Sequence, residues 1–152
     1  MATYNLTQWT EKHPHHQQHT KYGAVVVSAT FNGVDATKKK GSALAVNDVF
    51  ELLTIPAGAF VHTVTHQVTT VEGSTCTYAI GDGTATAGYV AAVTGNAATN
   101  ASSFNATTTP SLGVGKYYAA ADTIDLLLAS GTAANVVIKV SATYFLTAPQ
   151  SA

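Results

Sequence analysis

The chain reads as an all-β domain, an antiparallel β-sandwich or jelly roll behind an extended N-terminal arm. Three observations predict this. Short stretches alternate apolar and polar residues with a period of two, the period of a half-buried strand. Clusters of Gly, Pro and Asn separate these stretches at fairly regular intervals, as they do in sandwiches and jelly rolls. No segment sustains a helical period, so the helical crossovers that a parallel sheet requires are missing. A length of 152 residues suits one domain.

Residues 1–22 make up the arm. They are polar and hold four of the six histidines (His13, His15, His16 and His19), the only tryptophan, Trp9, and the isolated aromatics Tyr4 and Tyr22. No strand or helix period persists there, and an arm of this kind stays mobile unless a partner ties it down. Residues 23–148 form the β domain. Its first strand, Ala24–Asn32, places Val25, Val27, Ala29 and Phe31 on one face. A turn without helix is expected over Asn32-Gly33 and the Lys38-Lys39-Lys40-Gly41 run. Asp48–Thr54 is the second strand, ended by Ile55-Pro56-Ala57-Gly58, where proline and glycine interrupt pairing.

Phe60–Val71 is long, alternating and rich in Thr and Val, the composition of a strand. A hairpin across Glu72-Gly73-Ser74 then leads into Thr75–Ile80. Gly81-Asp82-Gly83 reads as a tight turn and Tyr89–Val93 as a short strand. Gly58 and Gly81 are expected to take positive φ, which a β-branched residue cannot adopt without strain. Thr94–Gly115 is a long Asn/Ala/Ser/Thr/Gly stretch, of a length that in compact domains goes with function or flexibility. Asp122–Ala129 and Asn135–Leu146 are the closing strands. In the last, Val136, Ile138, Val140, Ala142, Tyr144 and Leu146 lie opposite Lys139, Ser141 and Thr143.

Composition narrows the function. Charged residues make up 10% of the chain, arginine is absent, and the formal net charge is −1. Nucleic-acid binding is therefore not expected, because affinity for phosphates rests on Lys and Arg. No apolar run approaches the roughly 20 residues that span a bilayer, so no membrane partner is expected, and MATYNLTQWTEKHPHH lacks the apolar core of a secretory signal. A single cysteine, Cys76, excludes a disulfide framework within one subunit. The 26 alanines and 24 threonines indicate a surface of small, neutral side chains. Such a surface is cheap to desolvate and loses little rotamer entropy when covered, as suits a subunit of an assembly.

Candidate chemistry is sparse. Several imidazoles in the arm could chelate zinc, copper or nickel, but a metal site needs a rigid frame and supporting partners, and no metal or cofactor is expected. His62 and His66 lie an even number of residues apart and so share a face with Phe60, Val64 and Val68. About 13 Å of extended strand separates them, too far to share one metal. They are expected instead at a partly buried or intersubunit face. Asp82 sits between glycines, yet one carboxylate falls far short of a calcium shell. No nucleophile elbow, phosphate loop or His-Glu-x-x-His occurs, so the chain is not expected to be an enzyme.

The stretches VNDVFELLTIPAGAFVHTVTHQVTTVEGSTCTYAIGDGTATAGY (Val46–Tyr89), KYYAAADTIDLLLASG (Lys116–Gly131) and NVVIKVSATYFL resemble small structural proteins of tailed bacteriophages. In those proteins a strand ends in a Pro-Ala-Gly turn and a long strand follows. A hairpin then leads to an Ile-Gly-Asp-Gly turn and a Gly-Tyr step, and an Asp-Thr-Ile strand precedes the closing strand. The resemblance covers most of residues 46–146 and implies a head auxiliary protein, also called a decoration or cement protein. It implies a jelly roll or sandwich set on the outer surface of the capsid, often as a trimer. The partners would be the major capsid protein and further copies of the chain. Such a protein is made in the host cytoplasm and ends in the virion. The resemblance implies no catalytic residue. Candidate contact residues are Tyr4, Trp9, Tyr22, His62 and His66. A tail or fibre domain that binds host-surface glycans is the alternative. Glycan readers display exposed aromatics beside Asp, Asn or Arg, and the lone tryptophan in the arm and the missing arginines favour the capsid reading.

Overall fold

The computed structural model describes residues 3–5, 23–102, 112 and 115–146. In chain order the elements are β1 (Thr3–Asn5), β2 (Ala24–Asn32), α1 (Gly33–Lys40), β3 (Val49–Ile55) and β4 (Ala59–Thr70). They continue with β5 (Cys76–Gly81), β6 (Val90–Thr94), β7 (Asn100–Ser102), β8 (Lys116–Tyr118), β9 (Asp122–Gly131) and β10 (Val137–Leu146). The strands form two sheets, ordered β1-β3-β9-β5-β6 and β2-β10-β4-β7, with β8 also pairing with β4. Every pairing is antiparallel except the short β1–β3 pair, in which Tyr4 stands opposite Phe50. The architecture is the β-sandwich expected from the alternation. The arm's Thr3–Asn5 therefore adds to the domain's own sheet through its backbone.

The core lies between the sheets. Phe31, Ile138, Val140, Ala142, Tyr144, Val61, Val64 and Val68 come from one sheet, and Phe50, Leu52, Ile55, Ile124, Leu126, Leu128, Tyr78 and Ile80 from the other. All are buried, and the Phe31 and Phe50 rings meet at 4.9 Å. Each fully buried Val, Leu, Ile or Phe contributes about 1.5–3 kcal/mol relative to exposure. Val136, Ile138, Val140, Ala142 and Tyr144 are all buried, so the alternation of the last strand identified its inner face.

Three features differ from the sequence expectation. Residues 33–40 form a helix where a turn was expected. Asn32 Oδ1 accepts from the N–H groups of Val34 and Asp35, and Gly41, at φ 76°, donates to the Thr37 carbonyl. Asp35 in the first turn and Lys38–Lys40 in the last complement the helix dipole. Every cap signal was present, but only Gly33 and Ala36 are buried, so no apolar period marked the helix.

The second difference is that β4 and β5 do not form a hairpin. β4 pairs with β10, β7 and β8, whereas β5 pairs with β9 and β6. The Glu72–Thr75 connection instead arches from one sheet to the other. It is pinned by the buried Glu72 carboxylate, which accepts from the N–H groups of Asn135 (2.7 Å) and Val136 (3.2 Å).

Third, β4 carries a bulge. Thr63 stands opposite Thr143 and Val61 opposite Tyr144, which leaves His62 as the extra residue. The inner face therefore runs through Val61 and then Val64, His66 and Val68, while His62 is exposed. The extra residue reverses the alternation, and His62 and His66 end on opposite faces. The long Thr94–Gly115 stretch also contains β7, which adds to the edge of β4.

Candidate interaction surface

The outer face of the β2-β10-β4 sheet is built in rows, and the strand register defines them. At one end Ala24, Phe145, Phe60 and Tyr117 lie side by side across β2, β10, β4 and β8. Val26, Thr143 and Thr63 form the next row, then Ser28, Ser141 and Thr65, then Thr30, Lys139 and Gln67. Val26 is 64% exposed, Tyr117 52% and Phe145 37%. His62 joins the apolar end, its ring edge-on to Phe145 at 6.0 Å. Ser28 and Ser141 share a hydroxyl hydrogen bond of 2.7 Å, and Thr65 Oγ1 donates to the Ser141 carbonyl. Lys139 is the sole charged residue in these rows. The result is an open, almost neutral surface of hydroxyls graded into an aromatic end.

This surface follows from the alternation already legible in β10. The inward residues are apolar, which leaves Lys139, Ser141, Thr143 and Phe145 to point outward. Ser28 and Ser141 satisfy one another, Thr65 donates to a backbone carbonyl, and all carry short side chains, so covering them costs little side-chain entropy. A contact partner meets no fixed charge to desolvate except at the Lys139 end.

The interior polar groups serve a different purpose. Asp82 is fully buried after β5. Its Oδ1 accepts from the Thr84 and Ala85 N–H groups and the Thr84 hydroxyl. Its Oδ2 accepts from Lys116 Nζ at 2.5 Å and the Tyr118 hydroxyl at 2.8 Å, and Tyr118 in turn meets the Tyr89 hydroxyl at 2.9 Å. Burial by itself would raise the Asp82 carboxyl, but the donors from Lys116, Thr84, Tyr118 and Ala85 outweigh it and hold it down at about 2. Burial pushes the Tyr89 hydroxyl up to about 12. The turn, β8 and the β6 entrance are thereby tied through one carboxylate. The sequence marks Asp82 as a turn residue and as too lone a carboxylate for calcium, and the Gly-Asp-Gly-Thr pattern is its one local signal. Gly81 proves to be a strand residue with no positive φ, and its role is spatial: an added Cβ would lie 1.9 Å from the Ala85 carbonyl oxygen. Gly58 does take φ 80°.

Asp48 plays a comparable part, accepting from the Ala45 N–H and from Lys40 Nζ at 2.5 Å, which docks α1 on β3. Glu72 is lowered: burial opposes ionisation, but the N–H donors of Asn135, Val136 and Gly73 prevail. Asp125 is the exception, a buried carboxylate whose Oδ1 has no partner. Burial, with Glu51, Asp122 and Asp82 near it, raises it to about 6. Cys76 is a free, buried thiol that burial and the Glu72 charge push up to about 11, so it is unreactive near neutrality.

Of the residues singled out from sequence, the structure separates rather than gathers the histidines. His62 lies on the open face. His66 is buried in the core, and its Nδ1 meets the Tyr78 hydroxyl of the facing sheet at 2.7 Å. Burial lowers His66 and pushes the Tyr78 hydroxyl up to about 12. Tyr4 is placed by its backbone in β1, whereas Trp9, Tyr22 and the histidine cluster at 13–19 lie outside the described residues. Among the described residues no three His, Cys, Asp or Glu side chains gather to hold a metal ion, and no helix is long and apolar enough to cross a membrane.

Neither a family profile nor a curated protein matches the chain. Solved structures do. A chain of the acid-stable capsid of Helicobacter pylori bacteriophage KHP30 superposes with a TM-score of 0.57 at 16% identity, over 82% of this chain and 89% of that one. A chain of the cyanophage Pam1 capsid gives 0.59 at 18% identity, over 82% and 86%. A chain of the Ralstonia phage GP4 capsid gives 0.59 at 17%, over 84% and 86%. At these identities the likeness establishes a shared fold that extends over more than four-fifths of each chain.

Proposed function

We propose that this chain is a structural protein of a phage particle which binds the outer surface of the capsid and stabilises it as a decoration or cement subunit. The observation that carries the reading is the fold likeness to chains of three phage capsids over more than four-fifths of each partner's length. The open neutral face supports it. A subunit that attaches in many copies needs a surface whose burial costs little, and hydroxyl rows with one lysine meet that need. No catalytic role is proposed. The partners are the major capsid protein and further copies of the chain, expected as a trimer, and the site of action is the virion.

The arm belongs to the same proposal. Residues 1–22 hold few apolar groups to offset the roughly 1–2 kcal/mol per residue of backbone ordering. Trp9, Tyr4 and Tyr22 are the natural anchors on the shell, since aromatic side chains dominate contact energetics. The test is co-sedimentation of the purified chain with undecorated heads, read as copies per particle. Hundreds of copies support the reading, and a small multiple of six points to a tail part instead. Deletion of residues 2–20 and Trp9→Ala are both expected to lower occupancy. Wild-type occupancy by the deletion variant would move the attachment to the β domain alone.

A further inference from the structure

Asn32-Gly33 is the sole Asn-Gly pair in the sequence, and such a pair is chemically labile. No side chain hinders the glycine nitrogen, so it can attack the amide of the asparagine before it. The fold nevertheless demands both residues. Asn32 caps α1, its Oδ1 accepting from the Val34 N–H at 3.0 Å and the Asp35 N–H at 3.4 Å. Gly33 is buried against the turn between β9 and β10, where an added Cβ would lie 1.7 Å from the Ala133 carbonyl oxygen. Its N–H donates to the Val136 carbonyl at 2.9 Å. That turn is itself fixed, because Glu72 accepts from the N–H groups of Asn135 and Val136.

We infer that Asn32-Gly33 is a self-modification site which the docked helix keeps closed, and whose reaction makes opening of this corner irreversible. Ring closure requires the Gly33 nitrogen to swing beside Asn32 Cβ and reach Cγ. A ψ of 117° at Asn32 holds that nitrogen away from Cγ, and the Val136 carbonyl engages its proton. Local opening of the corner releases both restraints. The Gly33 N–H then gives its proton to hydroxide and the nitrogen bonds to Asn32 Cγ. The Cγ–Nδ2 bond breaks, and ammonia leaves with a proton taken from water. Water opens the resulting five-membered imide at either carbonyl. One opening leaves aspartate, which caps a helix as well as asparagine does. The other leaves isoaspartate, which routes the main chain through the former side chain and lengthens it by one carbon. Gly33 is thereby moved out of register with Ala133 and Val136, and the corner cannot redock as before. A chemical change of this kind converts a reversible opening into a one-way loss.

The experiment uses the full chain and Asn32→Ser, which keeps a capping oxygen but has no amide to attack. Both are incubated at mildly alkaline pH, either folded in buffer or unfolded in urea. Peptide mass mapping with isoaspartyl labelling follows residue 32, and circular dichroism after return to buffer reads the refolded fraction. The wild type is expected to keep its amide in buffer and to convert in urea. Its refolded fraction is expected to fall in step with the isoaspartyl content, while Asn32→Ser refolds after either incubation. Equal conversion in buffer and urea would show that the fold does not guard the pair. Isoaspartyl chains that refold like freshly unfolded wild type, or an amide that survives urea, would equally overturn the inference.

Discussion

The two sheets dispose of their polar residues in opposite ways. Around β5 and β9, carboxylates are taken inside: Asp82 and Asp125 are buried, and with Asp48 and Glu72 they make half of the chain's eight acidic residues. Three of the four are saturated with N–H, hydroxyl or lysine donors and act as ties between loops and strands. On the outer face of the β2-β10-β4 sheet the polar groups are nearly uncharged: hydroxyls, half-buried on the inner strands and exposed on β2, and an exposed amide. Asp48, Glu72 and Asp82, with Lys40 and Lys116, therefore fasten connections, and the outer face of the β2-β10-β4 sheet is almost neutral.

The largest test of this contrast is Asp82→Ala. It leaves Lys116 and Tyr118 without their buried acceptor and releases the 82–85 turn, and removing one partner of a buried ion pair costs about 3–5 kcal/mol. Thr143→Lys on the open face is expected to change stability by no more than about 0.5 kcal/mol. Urea denaturation measures both, and equal losses would erase the distinction between the two regions.

Two glycines sharpen the same comparison. Gly81→Ala places its methyl group against the Ala85 and Thr86 backbone, so the Asp82 turn must open. Gly58→Ala meets open space and carries only the strain of a positive φ, about 1–2 kcal/mol. Thermal unfolding is expected to show the larger drop for Gly81→Ala. The opposite order would make conformation, and not space, the constraint at the turn.

The pH dependence separates His66 from Asp125. Burial lowers the folded-state His66 below its ordinary value near 6.5. As pH falls through that value the unfolded chain takes up a proton that the folded chain refuses, so stability declines. H66L/Y78F removes the pair together and is expected to flatten this decline between pH 7 and 5. Asp125 works in the other direction. Its folded value of about 6 exceeds the usual 3.8, so its destabilisation is full above pH 6 and disappears as pH falls toward 4. Asp125→Asn is expected to raise the melting temperature by a few degrees at pH 7 and to leave it unchanged at pH 3. A gain of equal size at both pH values would show that the carboxylate charge is not the cause.

Much of the sandwich was legible in the sequence because alternation is a local property. Val136–Tyr144 declared its inner face residue by residue, and Ile55-Pro56-Ala57-Gly58 declared its turn. The open face was legible for the same reason, as the complement of β10's buried set. What sequence reasoning lost is what depends on partners far along the chain. His62 and His66 obey even spacing, yet the bulge set by pairing with Thr143 and Tyr144 places them on opposite faces. Glu72-Gly73-Ser74 has the form of a hairpin turn, but Asn135 and Val136, more than 60 residues away, receive Glu72 and turn the connection into an arch between sheets. Asp82 looked like a lone turn carboxylate until Lys116 and Tyr118 closed on it. Strand identity, turn chemistry and surface neutrality are written in neighbouring residues, so the chain alone determined them. Register, sheet membership and the saturation of buried charges are decided by which distant strand lies alongside, and only the packed fold supplies that neighbour.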